Sequence, residues 1–186
     1  MSSFSRRSFA VAALAALPFL AACDNSIGAN GGQTVDARVD ATLAFMYNEY
    51  PGTRDLAAKS AGMLVMPLQT EVGFGVGGGY GRGALRVNGA SVDYYSSTFA
   101  NVGLQFGAQQ YAHVLFFMTQ DALEDFRRGP GWALGADVEY VFSDVREGLR
   151  AESTTGLAPV IAIVFGQAGL KLGATLEGIK YSRIIP

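Results

Sequence analysis

The sequence holds one cysteine and one histidine. An intramolecular disulfide is therefore impossible, and the mixed Cys/His clusters of structural zinc sites are excluded. Charge is scarce too: 16 % of residues are Asp, Glu, Lys or Arg, well under the usual quarter. The balance is slightly acidic, −2 overall, which leaves no electrostatic footprint for duplex nucleic acid. No Ser sits in a Gly-x-Ser-x-Gly elbow, and no glycine cluster is followed by the lysine and hydroxyl residue of a phosphate loop. Nothing assembles into a nucleophile, base and oxyanion site, so neither an enzyme nor a cofactor is expected. His113, alone in an apolar run, reads as a core or surface histidine rather than a catalytic one.

What the chain has in quantity is apolar residues (49 %) and glycine (24 residues). The glycines are not in a Gly-X-Y register. They alternate with aromatic and β-branched residues, which points to strands.

At the N-terminus, Arg6-Arg7 precede an uncharged apolar run, Phe9 to Ala22, that ends Leu20-Ala21-Ala22-Cys23. Fourteen residues are too few to span a hydrocarbon core, which needs about 20, but suit a signal-peptide h-region. The ending resembles a lipobox: small residues enter a narrow protease site, and the thiol of Cys23 takes the lipid. The plainer alternative is a secretory signal with a stray cysteine. Ser5-Arg6-Arg7-Ser8-Phe9 also resembles a twin-arginine export signal, so the general and twin-arginine routes both stay open. The expected organisation is a signal peptide over 1–22, a lipidated cysteine and flexible tether over 23–33, and one folded domain over 34–186. Removing 1–22 takes Arg6 and Arg7 with it, leaving 12 basic against 16 acidic residues, or −4. Lipid attachment implies a bacterial cell envelope location, on the periplasmic face of the inner or outer membrane.

In the mature chain, Val35, Val39, Leu43, Met46 and Tyr50 recur at spacings of four and three and predict a helix, capped by Thr34 and stopped by Pro51-Gly52. Its stripe reads as a core face, with a membrane face as the alternative. A short helix over Arg54–Ser60 follows, with Thr53 as cap. Strands are predicted at Met63–Pro67, through the glycine row Gly73–Gly81, at Ala84–Val87, at Val92–Ser96 after an Asn88-Gly89 turn, and over Val102–Phe106. The row predicts another element lying close on that face, or a sharp bend. Tyr111–Met118 reads as a strand buried on both faces. Thr119 caps a helix over Gln120–Arg128, stopped by Gly129. Trp132–Ser143, Glu152–Val164 and Gly169–Leu176 are further strand-like segments. The fold class is α+β, with a curved, mainly antiparallel, barrel-like glycine-rich sheet.

The run Gly73-Phe74-Gly75-Val76-Gly77-Gly78-Gly79-Tyr80-Gly81, with Gly103-Leu104-Gln105-Phe106-Gly107, Gly129-Pro130-Gly131 and Gly169-Leu170-Lys171-Leu172-Gly173, resembles the SYLF domain. Pro51, the Ala57–Gly62 segment and Phe126 fit the same pattern, and the resemblance covers about residues 36–186. It implies a fold and a general affinity for lipid surfaces. In eukaryotic members the domain binds phosphoinositide membranes through an amphipathic N-terminal region, and a fungal branch binds actin. The chain departs from those members: it has no SH3 or FYVE module, and Tyr94-Tyr95-Ser96 stands where many carry a tryptophan-serine pair. Neither eukaryotic ligand is carried over.

Arg82 and Arg86 on the hairpin, and Arg127 and Arg128 at a helix end, are the candidates for anionic lipid head groups, because the guanidinium fork suits phosphate. The plainer reading, helix-end complementation and a soluble hairpin tip, is preferred. The expected function is a lipid-anchored, non-catalytic, lipid-surface-binding envelope protein. The alternatives are a partner-binding or structural lipoprotein without a lipid ligand, and a small outer-membrane barrel, against which the lipobox and the N-terminal helix argue.

Overall fold

Asn88 and Gly89 both adopt positive φ, 51° and 80°, the conformation that a two-residue type I′ hairpin requires. They join the two strands on which everything else is built. In the computed structural model, which describes residues 30–129, 132–133, 138–142, 158–166 and 178–186, helix α1 spans Gly31–Glu49 and α2 spans Thr53–Lys59. Strand β1 (Gly62–Val87) and strand β2 (Ala90–Phe117) form the hairpin. Helix α3 (Gln120–Arg128), then β3 (Trp132–Ala133), β4 (Val138–Phe142), β5 (Val160–Phe165) and β6 (Lys180–Ile184) complete the described elements.

The segments predicted as separate strands between 63 and 118 are thus two continuous ones, of 26 and 28 residues. A straight strand of 26 residues would run about 85 Å, roughly twice the width of a domain this size. The hairpin must therefore coil, and three register shifts let it: between Met66 and Gln69, between Phe74 and Val76, and between Leu85 and Arg86. Each adds unpaired residues to one strand and sharpens its bend. Pro67, which has no N–H to give a ladder, falls in the first of them.

The coiling brings β1 back onto itself. A Cβ on Gly83 would overlap the carbonyl oxygen of Val65 and stand 2.5 Å from Met66 Sδ. One on Gly81 would stand 2.8 Å from the Leu68 carbonyl oxygen, and one on Gly79 would overlap the Phe99 ring. This is the close approach expected of the glycine row, located at residues 79–83. The side chains of 74–76 and 101–107 lie outside the description.

The sheet has six strands in the order β3-β6-β2-β5-β4, with β1 on the other edge of β2. All pairs are antiparallel except β4 with β5. Among the described residues no ladder closes the sheet, so the expected barrel-like form is met only loosely. Residues Tyr111–Phe117 of β2 are wholly buried, between β1 and β5. Their alternation divides the core. Leu115 and Phe117 face the side covered by α3, with Leu123, Phe126 and Tyr181; Val114 and Phe116 face α1 and α2, with Val39, Met46 and Leu56.

Several local expectations change. Helix α1 begins at Gly31 and not after Thr34: Asn30 is the N-cap, and the Thr34 hydroxyl donates within the helix to the Asn30 carbonyl at 3.0 Å. Gly31 and Gly32, which read as tether, start the helix because they lie against Pro186 and Tyr94, where a Cβ on Gly31 would meet Pro186 carbonyl carbon at 2.5 Å. Thr53 is the first residue of α2, its hydroxyl donating to the Tyr50 carbonyl at 2.7 Å. Gly62 opens β1 beneath the Leu123 methyls. Strand β6 was not expected. The segments 143–157 and 169–176 lie outside the described residues, as do Cys23 and residues 1–22, which read as a signal peptide.

Candidate functional site

Helix α1 lies on the hairpin with Val35, Val39, Thr42 and Met46 buried, so its stripe is a core face. Its flank is fastened by a polar clasp. Asp36 accepts from Ser91 Oγ at 2.5 Å and from Tyr94 Oη at 2.8 Å. Arg86 donates to Asp40 at 2.6 Å and lies 3.6 Å from Asp36. The bond to the Asp36 carboxylate is the main reason that the Tyr94 phenol titrates above its ordinary range.

Helix α3 is capped as expected, Thr119 Oγ1 accepting from the Ala122 amide at 3.2 Å. It buries Leu123 and Phe126, and Phe126 packs at a tilt against Tyr95 and Phe117 with ring centroids 4.7 and 4.8 Å apart. Arg127 donates to Asp93 at 3.0 Å, and Arg128 pairs with Glu124 one turn back.

The four arginines proposed for head groups are therefore not gathered into one patch. Arg86 is committed on the α1 side of the hairpin, its side chain 12 % exposed. Arg127 and Arg128 are committed on the α3 side. Arg82 alone carries no ion pair among the described residues. Its Nε donates to Tyr80 Oη at 2.8 Å, and its guanidinium lies 5.8 Å from the centre of that ring. Both terminal amino groups are left without a partner among the described residues.

Arg82 lines a groove between the start of α1 and the coil of β1. The groove has a volume of about 620 Å³, and its walls include Asn30, Thr34, Arg38, Thr70, Tyr80 and Arg82. None of its described lining residues is acidic, although the chain as a whole is. The Arg38 side chain makes no hydrogen bond or ion pair among the described residues. The sequence held a signal for this that went unread: positions 34, 35, 41 and 42, the helical neighbours of Arg38, are Thr, Val, Ala and Thr, so no carboxylate can reach it along α1. The first turn of α1 holds no acidic side chain either, which leaves the positive end of the helix dipole uncompensated beside the groove.

His113 is a core histidine. It is fully buried, with Nε2 2.8 Å from Tyr181 Oη and the two rings edge-on at 5.8 Å. Among the described residues its Nδ1 has no partner, nor have Gln69 Nε2 or Tyr111 Oη. Burial pushes the imidazole pKa down to about 3. Among the described residues no three His, Cys, Asp or Glu side chains stand together as a metal site, and no helix is long and apolar enough to cross a membrane.

Fold and site together define a class: a helix-covered α+β domain on one coiled hairpin, with an unpaired-arginine groove at its N-terminal edge. Over residues 98–183, from within β2 to β6, the chain is similar to the Ysc84 family, the SYLF domain, whose model is described as Las17-binding protein actin regulator. Helices α1 and α2 and strand β1 precede the matched span. No curated protein matches the chain.

Proposed function

We propose that the protein is an envelope lipoprotein, anchored through acyl chains on Cys23, whose SYLF-like domain rests on the lipid surface without catalysing a reaction. The observation that carries the reading is the position of the groove. It opens at Asn30 and Gly31, seven residues after Cys23. Even fully extended, that stretch reaches only about 25 Å, so an anchored cysteine keeps the groove near the head groups. Tethering at such range raises the effective concentration of a weak contact. With a mature charge of −4, an anionic surface repels most of the molecule, and the acid-free groove is the part suited to face it.

The test is hydrogen–deuterium exchange on protein purified from membranes and reconstituted into nanodiscs. Amides of residues 30–38 and 79–82 should gain protection in phosphatidylglycerol discs over phosphatidylcholine discs, and lose it at high salt, since exposed charges are screened within about 8 Å at physiological ionic strength. Equal exchange in both discs would leave a tethered partner-binding protein as the reading.

A further inference from the structure

We infer that the groove between α1 and β1 is a phosphate site, with Arg38 and Arg82 as its two ligating side chains. This deepens the lipid-surface reading and rests on it for the source of the ligand, but the chemistry belongs to the groove itself. Most of the other arginines on the described surface already have carboxylate partners. Arg86 is held by Asp36 and Asp40, Arg127 and Arg183 by Asp93, and Arg128 by Glu124 and Asp125. Arg54 lies over the Tyr47 ring at 4.9 Å, away from the groove. Against that pattern, two arginines that have no carboxylate partner among the described residues line one cavity whose described wall holds no acidic residue.

Arg82 is held in a way that prepares it. Tyr80 takes its Nε proton and lies against its guanidinium. The remaining edge, the two terminal amino groups, is the edge that binds two oxygens of one phosphate. Arg38 supplies a second cation from the first turns of α1. Near it, the Thr70 hydroxyl accepts only a long bond from Gln110, at 3.4 Å, and keeps its own proton to donate. Tyr80, 48 % exposed, keeps its hydroxyl proton as well. The donors thus outnumber the acceptors, the inventory of a site for an oxyanion bearing several oxygens. A volume of about 620 Å³ exceeds what inorganic phosphate needs and leaves room for a glycerol or similar polyol attached to it. The shared chemistry is a phosphate ester, presented by a lipid head group or by a soluble metabolite.

The test uses the full protein purified in a neutral detergent, titrated calorimetrically with inorganic phosphate and with glycerol 3-phosphate. Both should bind. Arg38→Gln and Arg82→Gln should each weaken binding roughly tenfold, the loss expected for one charge-assisted contact, whereas Arg54→Gln should leave it unchanged. Arg38 and Arg82 are exposed, and unchanged melting temperatures will show that the variants fold. The same variants are then placed in phosphatidic acid nanodiscs. Groove protection that Arg38→Gln and Arg82→Gln abolish identifies the lipid phosphate as the source. Calorimetric binding without protection in discs keeps the phosphate site and removes the lipid-surface reading. Protection in discs that both variants retain, with no binding of soluble phosphate, overturns the site and leaves the lipid-surface reading standing.

Discussion

Gly83 and His113 show what single residues decide in a coiled sheet. Gly83 has no special backbone conformation; what it lacks is space, because Val65 and Met66 from the first turn of the same strand lie where its Cβ would be. Overpacking of this kind costs about 1–3 kcal/mol, so Gly83→Val should lower the melting temperature by on the order of 5 °C or more. Gly89→Asn, where no atom lies within 4 Å and only the φ of +80° strains a side chain, should cost less, because Asn tolerates that conformation better than most residues. Calorimetry on the two variants separates close packing from a general intolerance of side chains. His113 stays neutral when folded, its pKa at about 3, whereas in the unfolded chain it titrates near 6.5. As pH falls below 6.5 the unfolded state takes up a proton that the folded state refuses, and stability declines down to about pH 3. Between pH 6 and pH 5 the loss should be about 1 kcal/mol. Urea unfolding across that window should show the slope in the parent and a flatter one in His113→Gln.

Among the elements, α1 carries the sharpest consequence. The SYLF resemblance implicates an amphipathic N-terminal region in membrane contact, yet the apolar stripe of this helix is spent on the core, with Val39 and Met46 at 0 % exposure. Inserting that stripe into lipid would expose the facing Val65, Ala84 and Phe116. Met46→Ala should therefore behave as a core truncation and cost about 2–5 kcal/mol, measured by denaturant midpoint. Phe45→Ala, at a position 38 % exposed and stacked on Phe165 at 5.9 Å, should cost less. A Met46→Ala variant as stable as the parent would mean that α1 is not docked as described. The polar clasp of Asp36, Asp40 and Arg86 fixes the helix over the hairpin, and in doing so removes Arg86 from the surface cations.

At the scale of the whole molecule, the proposed anchor and the proposed groove would divide the work. Each buried methylene of an acyl chain is worth about 0.8 kcal/mol, so residence at the membrane would depend on Cys23 and orientation on the groove. Intact-mass measurement of protein extracted from membranes should find Cys23 at the N-terminus carrying acyl groups, and Cys23→Ala should release the chain or leave it unprocessed. A free thiol on the extracted protein would dispose of the anchor.

Elements whose signals are local could be read from the residues in order: the Asn88-Gly89 turn, the Thr119 cap with Gly129 as stop, the four-and-three stripe of α1, the nearly continuous apolar run of Tyr111–Met118. Each depends on neighbours within one turn or one strand, where periodicity and side-chain chemistry act directly. The remainder waited on contacts distant in the chain. That the two long strands are continuous follows from bulges that keep the ladder going past Pro67 and the glycines. The start of α1 at Gly31 is set by Pro186, at the far end of the sequence. Strand β6 is short and polar and exists because β2 and β3 offer it partners. The candidate site divides the same way. Arginine as the phosphate-binding residue type, and Arg82 itself, were legible, and Arg38 could have been, from its lack of a helical carboxylate neighbour. Which arginines stay unpaired was not, because Asp36, Asp40 and Asp93 claim theirs across 34 to 50 positions, and only the coiled hairpin brings those charges together.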